Sequence, residues 1–579
     1  MYIERIPNRN SRPAVLLRDA WREGKTIKKK TVANLTEWPE EKVEALRRVL
    51  KGESLVSPRE AFRIERSLPH GHGEAVLGTI KKIGLDAAIG SKQSRERDLV
   101  VAMIAERLIH AASKLATTRL MHTTTVAEEL SLHNADEDDL YAALDWLYRR
   151  QERIEKKLAG KHLRNGSLVL YDVTSSYYEG HSCPLARFGH DRDEKGKPII
   201  VYGVLADQEG CPVAVTVYPG NTGDPTTVSD QVAKLKGRFD LDHLVLVGDR
   251  GMITEAQIDK IRDIPGIGWI SALRSPAIRA LMKKEHIQMS LFDTQGFAEI
   301  TSPEYPGERL IACFNPLLAE ERRRKRNELL DATEKKLDAI VRSVERRTKK
   351  PFGKAEIGKK VGLVINSLKM GKHFIVSVED GSFSFARNKE SIRQEEALDG
   401  IYVIRTSEPQ ERLSSDQVIR NYKNLSQVER VFRTFKGIDL LVRPIWHRTS
   451  DHVKAHIFLC MLAYYVEWHM RKALVPLLFD DEELPRLRET RDPVRPAEAS
   501  PSARRKKTVK LTPDGLPVQS FSTLLANLGT RCRNRCRAVS DPMAPAFTLV
   551  TDPTPLQRRA LELLGLYPVT GNSIAYKDT

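Results

Sequence analysis

The chain has 579 residues, with 94 Lys and Arg against 77 Asp and Glu, a net charge of +17 and a sequence pI near 9.4. That length exceeds one ordinary domain, so about three or four are expected, and the positive excess points to an anionic partner, nucleic acid first, over a merely basic solvated surface. Six scattered cysteines (183, 211, 313, 460, 532 and 536) exclude a secreted disulfide framework; Cys532 and Cys536 lack a second pair at zinc-ligand spacing and read as free thiols.

The start, Met1-Tyr-Ile-Glu-Arg5, lacks the apolar core of a signal peptide. Residues 1–165 read as a small β-containing start followed by helices. Lys25–Ala33 alternates like a basic strand. Helices are predicted near 38–51, 93–116 and 135–158, the last with Leu140, Leu144, Leu147 and Ile154 on one face. Thr124–Leu132 and Asp136–Arg150, split by His133-Asn134, fit either a helix-turn-helix or an ordinary helical hairpin.

Residues 166–275 change character. Apolar, β-branched runs predict strands at 168–173, 198–206, 212–218, 244–248 and 268–273, with helices near 225–237 and 254–263. Three consecutive strands, then helix, strand, helix, strand, is the order of a ribonuclease-H-like α/β fold, in which the first and fourth strands lie side by side. Residues 276–410 interrupt it, with strands at 309–314, 373–379, 383–386 and 401–405 and a charged helix near 317–348. That helix carries Glu321-Arg-Arg-Arg-Lys-Arg326 and reads equally as a solvated face or a DNA contact.

A further helix is predicted at 414–437. The longest apolar run, Ile457 to Val466, is about half a membrane span, so a soluble intracellular protein is expected. Residues 483–517, rich in Pro, Arg, Lys and Ser and containing Arg504-Arg-Lys-Lys507, read as a flexible basic linker before short helices near 519–528 and 554–565.

Three acids stand out. Asp172 lies in the strand-like Leu168-Val-Leu-Tyr-Asp-Val-Thr174, Asp249 ends Leu244-Val-Leu-Val-Gly-Asp249, and Glu429 sits on the 414–437 helix. A carboxylate among apolar residues costs several kcal/mol unless compensated, so two of them in one sheet invite a metal. Oxygen ligands suit Mg²⁺ or Mn²⁺, and two such ions about 4 Å apart serve phosphodiester chemistry. On a straight helix Tyr422, Glu429 and Lys436 share one face, a phenol, a carboxylate and an ammonium over one groove. Leu425, Val428, Phe432 and Phe435 form the neighbouring apolar stripe.

The stretch Tyr422-Lys-Asn-Leu-Ser-Gln-Val-Glu429-Arg-Val-Phe-Arg-Thr-Phe-Lys436 resembles the Tyr-x2-Arg-x3-Glu-x6-Lys pattern of a branch of DDE transposases from bacterial insertion sequences, with Leu425 standing where the family has Arg. Leu170-Tyr-Asp172-Val-Thr-Ser175, Gly220-Asn-Thr-Gly-Asp-Pro225, Val247-Gly-Asp249-Arg-Gly-Met252 and Arg443-Pro-Ile-Trp-His-Arg448 match the same family in order, as does the opening Met1–Asn10. The likeness runs to about residue 470, with an echo at Leu556–Ala560.

The resemblance implies a ribonuclease-H-like core interrupted by a β-rich insertion. It implies an N-terminal DNA-end-binding region at 1–165, core at 166–275, insertion at 276–410, core again at 411–475 and a C-terminal basic linker with short helices at 476–579. It implies Asp172, Asp249 and Glu429 as catalytic ligands of two Mg²⁺ ions, replaceable by Mn²⁺, with Tyr422, Lys436, Arg250 and Arg433 contacting DNA or phosphate. The expected partners are double-stranded DNA, as terminal inverted repeats and target, and a second copy of the chain in a synaptic dimer, in the bacterial cytoplasm at the nucleoid. A hydrolysis-only nuclease of the same fold and a catalytically dead DNA-binding derivative are the alternatives. Asp191, Asp193, Glu194 and Asp207 read as turn residues, His447, His452 and His456 as packing or phosphate contacts, and Trp269 as a core residue.

Overall fold

The basic run after Lys25 closes a small N-terminal sheet, as its alternation predicts. In the computed structural model, which describes residues 1–9, 12–53, 61–190, 196–293, 295–437, 439–539 and 543–567, strands β1 (Tyr2–Ile6), β2 (Ala14–Glu23) and β3 (Thr26–Asn34) pair antiparallel in that order. Val15 and Leu35 form a small core with Val43 of the helix Glu40–Leu50. Strand β4 (Phe62–Pro69) belongs to another sheet, completed from the far end of the chain. Residues 1–68 and 532–552 form one compact unit; residues 69–531 and those from 553 onward form a second.

The second unit is built on β5 (Ser167–Tyr177), β6 (Ile199–Ala206), β7 (Pro212–Pro219), β8 (Leu244–Val247), β9 (Ile267–Ala272), β10 (Phe297–Ile300) and β11 (Arg309–Phe314). After a separate hairpin, β12 (Phe374–Glu379) with β13 (Ser382–Arg387), strand β14 (Ile401–Thr406) completes a mixed eight-stranded sheet. Its order is β10-β11-β14-β9-β8-β5-β6-β7. Strands β5, β6 and β7 run antiparallel, whereas β8 and β9 run parallel to β5. The first and fourth predicted strands are therefore neighbours. β10 had no clear signal in sequence, being four residues long; with β11 and β14 it extends the central sheet from within residues 276–410.

Alternation along the strands separates two cores. Leu170, Val204, Val245 and Val247 face one side, with the helix Ser450–Leu474; Tyr171, Val173, Leu244 and Leu246 face the other. The apolar run Ile457–Val466 is buried throughout, which is why it shows no amphipathic stripe. Helices from Gly71 to His162 pack into that first core, so residues 69–165 share the core of residues 166–475 and not that of residues 1–68. No helix among the described residues is long and apolar enough to cross a membrane.

Several expectations are corrected. The predicted 414–437 helix is two helices, Ser415–Lys423 and Leu425–Lys436, because Asn424 interrupts the ladder: its N–H bonds Arg420 O while its carbonyl accepts from Gln427 three residues on. Residues 483–517 do not form a loose linker. They contain the helices Leu484–Thr490 and Pro501–Val509, and the buried Lys506 ammonium donates to the carbonyls of Val475 (3.0 Å) and Leu478 (3.3 Å). The composition suggested disorder because this lysine's buried acceptors are remote in sequence. Of the possible helix-turn-helix, the first element is one turn, Val126–Glu129, and the second, Glu137–Tyr148, buries Leu140, Ala143, Leu144 and Leu147.

The charged helix, Pro316–Glu345, keeps Leu330, Leu337, Ile340 and Val344 in a core with the helix Lys354–Leu368 and the β12–β13 hairpin. Arg326, at the end of its basic run, is buried and paired with Asp399 at 2.7 Å. The last sheet is β4 with β15 (Cys532–Ala538) and β16 (Phe547–Val550), strands that short length and high charge concealed. Asp191, Asp193 and Glu194 lie outside the described residues.

Candidate active site

β5 and β8 carry the first two acids. Leu170 pairs with Val247, and two residues further along each chain stand Asp172 and Asp249. Parallel strands lie about 4.8 Å apart, so the two acids leave the sheet side by side. The period of two puts Asp172 with Leu170, and Asp249 in phase with Val247, on the face covered by the first core. Asp172 is partly buried, pairs with Val204 of β6 and accepts the Val173 N–H at 2.7 Å.

Asp249 is exposed just past the end of β8, and the turn after it is held from several sides. Its Oδ1 accepts the N–H groups of Gly251 (2.9 Å) and Met252 (2.8 Å). The Ser271 hydroxyl donates to its main-chain carbonyl at 3.2 Å, and Arg274 Nε donates to the Arg250 carbonyl at 3.2 Å. Ser271 and Arg274 thus position the Asp249 turn. Neither carries a motif, so only the tertiary pairing reveals them.

Glu429 is exposed on the helix Leu425–Lys436, which lies against β5. Val428, Val431, Phe432 and Phe435 are buried beneath it, and Tyr202 of β6 meets Phe432 edge-on and Phe435 face-on, with centroids 6.0 and 6.4 Å away. The burial of that stripe fixes the helix's rotation and leaves Glu429, Arg430 and Arg433 on the outer side. Arg433 and the half-buried Lys436 follow Glu429 by four and seven residues, so both share its face. Leu425 is partly buried and packed on the main core, as the stripe predicts.

Tyr422 links the pieces although the helix breaks after it. Its phenol is pushed up to about 12, first by burial and then by the negative charges of Asp249 and Glu429, with Arg250 opposing them. The second and third acids and Arg250 therefore share the electrostatic neighbourhood of one hydroxyl, which stays protonated at any physiological pH. All seven site residues read from the sequence lie on β5, the turn after β8 or these two helices.

The donor set is hard oxygen, the chemistry that suits Mg²⁺ or Mn²⁺. Trp269 is buried in the core. His447 and His456 meet with their rings tilted by 48° and centroids 4.8 Å apart, and His452 pairs with Asp145 at 3.1 Å, so these histidines pack. Asp207 is a turn residue, accepting the N–H groups of Glu209 and Cys211.

Two family profiles match the chain. The transposase DDE domain covers residues 164–466, and the IS1634 family transposase N-terminal domain covers residues 3–61. A search of curated proteins found no match.

Proposed function

The chain belongs to the DDE transposases of insertion sequences, and on that premise we propose that it cuts at the terminal inverted repeats of its element and joins the freed 3′ ends to target DNA. The observation carrying the proposal is the common register of Asp172 and Asp249 on adjacent parallel strands, with Glu429 on the helix packed over the first of them. The central order β7-β6-β5-β8-β9, in which the first and fourth strands pair, supports a ribonuclease-H-like core. The helix Pro316–Glu345 and the β12–β13 hairpin, with their own core, support an insertion within it.

Asp172, Asp249 and Glu429 would hold two divalent ions, and such ions supply activation of a water or 3′-hydroxyl and stabilisation of the leaving oxygen. The residues around them have defined tasks. The N–H groups of Gly251 and Met252 orient the Asp249 carboxylate. Tyr422, kept neutral by its surroundings, can donate a hydrogen bond to a phosphate oxygen. Lys436, Arg250 and Arg433 supply positive charge to the DNA backbone along the same face. The exposed Lys28, Lys29 and Lys30 of β3 lie in the segment matching the N-terminal domain of the family and make it the candidate reader of the element's ends. The working unit is a dimer holding two ends, in the cytoplasm of a bacterium.

Pre-cleaved element ends, target DNA and Mg²⁺ test the proposal. Joined product is expected. Nicked product alone would assign a nuclease of the same fold, and a mobility shift without chemistry would assign a DNA-binding derivative.

A further inference from the structure

A second group of ligating side chains lies away from the acids. His162 ends the helix Gln151–His162, Cys211 stands in the turn immediately before β7, and His469 lies on the helix Ser450–Leu474. One ligand atom from each lies within 4.8 Å of the other two. Cys211 Sγ is 3.8 Å from His162 Nε2, and that nitrogen also meets the Tyr465 hydroxyl at 2.9 Å. The other ring nitrogen of His162 is 3.3 Å from Asp207 Oδ2. Asp207 is itself fixed by the N–H groups of Glu209 and Cys211, each at 2.9 Å. His469 Nε2 is buried and finds no hydrogen-bond partner.

We propose that His162, Cys211 and His469 bind a zinc ion, with water from the adjoining cleft as the fourth ligand. Two imidazoles and one thiolate form a tetrahedral zinc set with one open position. A carboxylate on the far nitrogen of a ligating histidine is the usual device that fixes its tautomer and ring plane, and Asp207 stands there. The cleft, about 550 Å³, is lined by His162, Asp207, Trp468, His469 and Lys472, so an ion and its water have a route in.

Forming the Zn–S bond breaks the S–H bond and releases one proton to solvent. The site is separate from the carboxylates in place and kind. Asp207 follows Val204, the partner of Asp172, by three residues, about 10 Å along the sheet, and a nitrogen–sulfur set disfavours Mg²⁺. A zinc ion there would pin three segments distant in sequence: a helix of residues 69–165, the β6–β7 turn and the long buried helix.

The test uses the full chain, loaded with Zn²⁺ or Co²⁺ and measured by metal analysis, absorption and thermal melting. We expect one zinc per chain that survives dialysis, a thiolate-to-cobalt charge-transfer band, and a higher Tm with zinc. Cys211→Ser should abolish the band, His469→Gln should lose the stoichiometric zinc, and Asp207→Asn should weaken zinc binding about 10–100-fold. Glu429→Gln should keep zinc and band unchanged, which separates this site from the acidic one. Absence of the band in the wild-type protein, its persistence in Cys211→Ser, or full zinc retention by His469→Gln would overturn the assignment. If Cys211→Ser fails to fold, His469→Gln and Asp207→Asn decide it alone.

Discussion

Asp172 and Asp249 stand at one register on neighbouring parallel strands, both two residues beyond the Leu170–Val247 pair. Neither strand alone specifies a site. The parallel pairing of the first and fourth strands of this topology sets two acids, 77 positions apart in sequence, beside one another. Glu429 is added by a helix whose rotation is fixed by the buried Val428, Phe432 and Phe435.

Tyr422 and Lys436 are expected to act on DNA without carrying the fold. Tyr422→Phe removes a hydroxyl held neutral by burial, Asp249 and Glu429, and should slow cleavage by the equivalent of about 1 kcal/mol, roughly fivefold. Lys436→Ala should weaken end-complex binding and slow cleavage more. Cleavage rates and far-ultraviolet circular dichroism of both variants check this; a lost fold in Lys436→Ala would assign that lysine to structure.

Leu425 occupies the position where the family pattern has arginine, yet it is partly buried against the main core. Leu425→Arg should destabilise the protein by about 1–3 kcal/mol, since a charge would enter an apolar contact. Thermal melting decides; an unchanged Tm with tighter DNA binding would show that the side chain faces the groove.

The five strands β5 to β9 and the stripe beneath Glu429 were legible because each depends on local pattern: apolar runs of period two and an apolar face of period 3.6. Less was legible where long-range partners decide. The break at Asn424 depends on local geometry that heptad spacing does not encode. Val494, Ala503 and Lys506 fold a Pro- and Arg-rich stretch by burial against distant residues. Ser271 and Arg274 reach the Asp249 turn only through pairing of the sheet, and the His162–Cys211–His469 cluster joins residues up to 307 positions apart.

That ordered stretch leads to a direct expectation. Lys506 bonds two helix-end carbonyls from a buried position, so Lys506→Ala should cost about 1–3 kcal/mol and open residues 483–517 to proteases. In the wild-type protein that segment should resist limited proteolysis. Cleavage there at the rate of an unfolded tail would contradict the packing.

Stability should fall in mild acid. Burial first, and neighbouring positive or imidazole groups second, hold His72 near 4, His447 near 3 and His456 well below its ordinary value. The unfolded chain binds protons at these sites from about pH 6.5 downward while the folded chain does not, so unfolding takes up protons there. Stability is therefore retained above about 6.5 and lost as pH falls towards 4, at about 1.4 kcal/mol per proton per pH unit. Denaturant unfolding at pH 7.5, 6 and 5 measures the slope; a flat profile would place these imidazoles in water.

The most direct test of the acidic site is cleavage of element ends in Mg²⁺ by the Glu429→Gln variant, alongside its end-binding affinity. Binding is expected to stay within a few-fold of wild type while cleavage is abolished. Cleavage at near wild-type rate by this variant would contradict it.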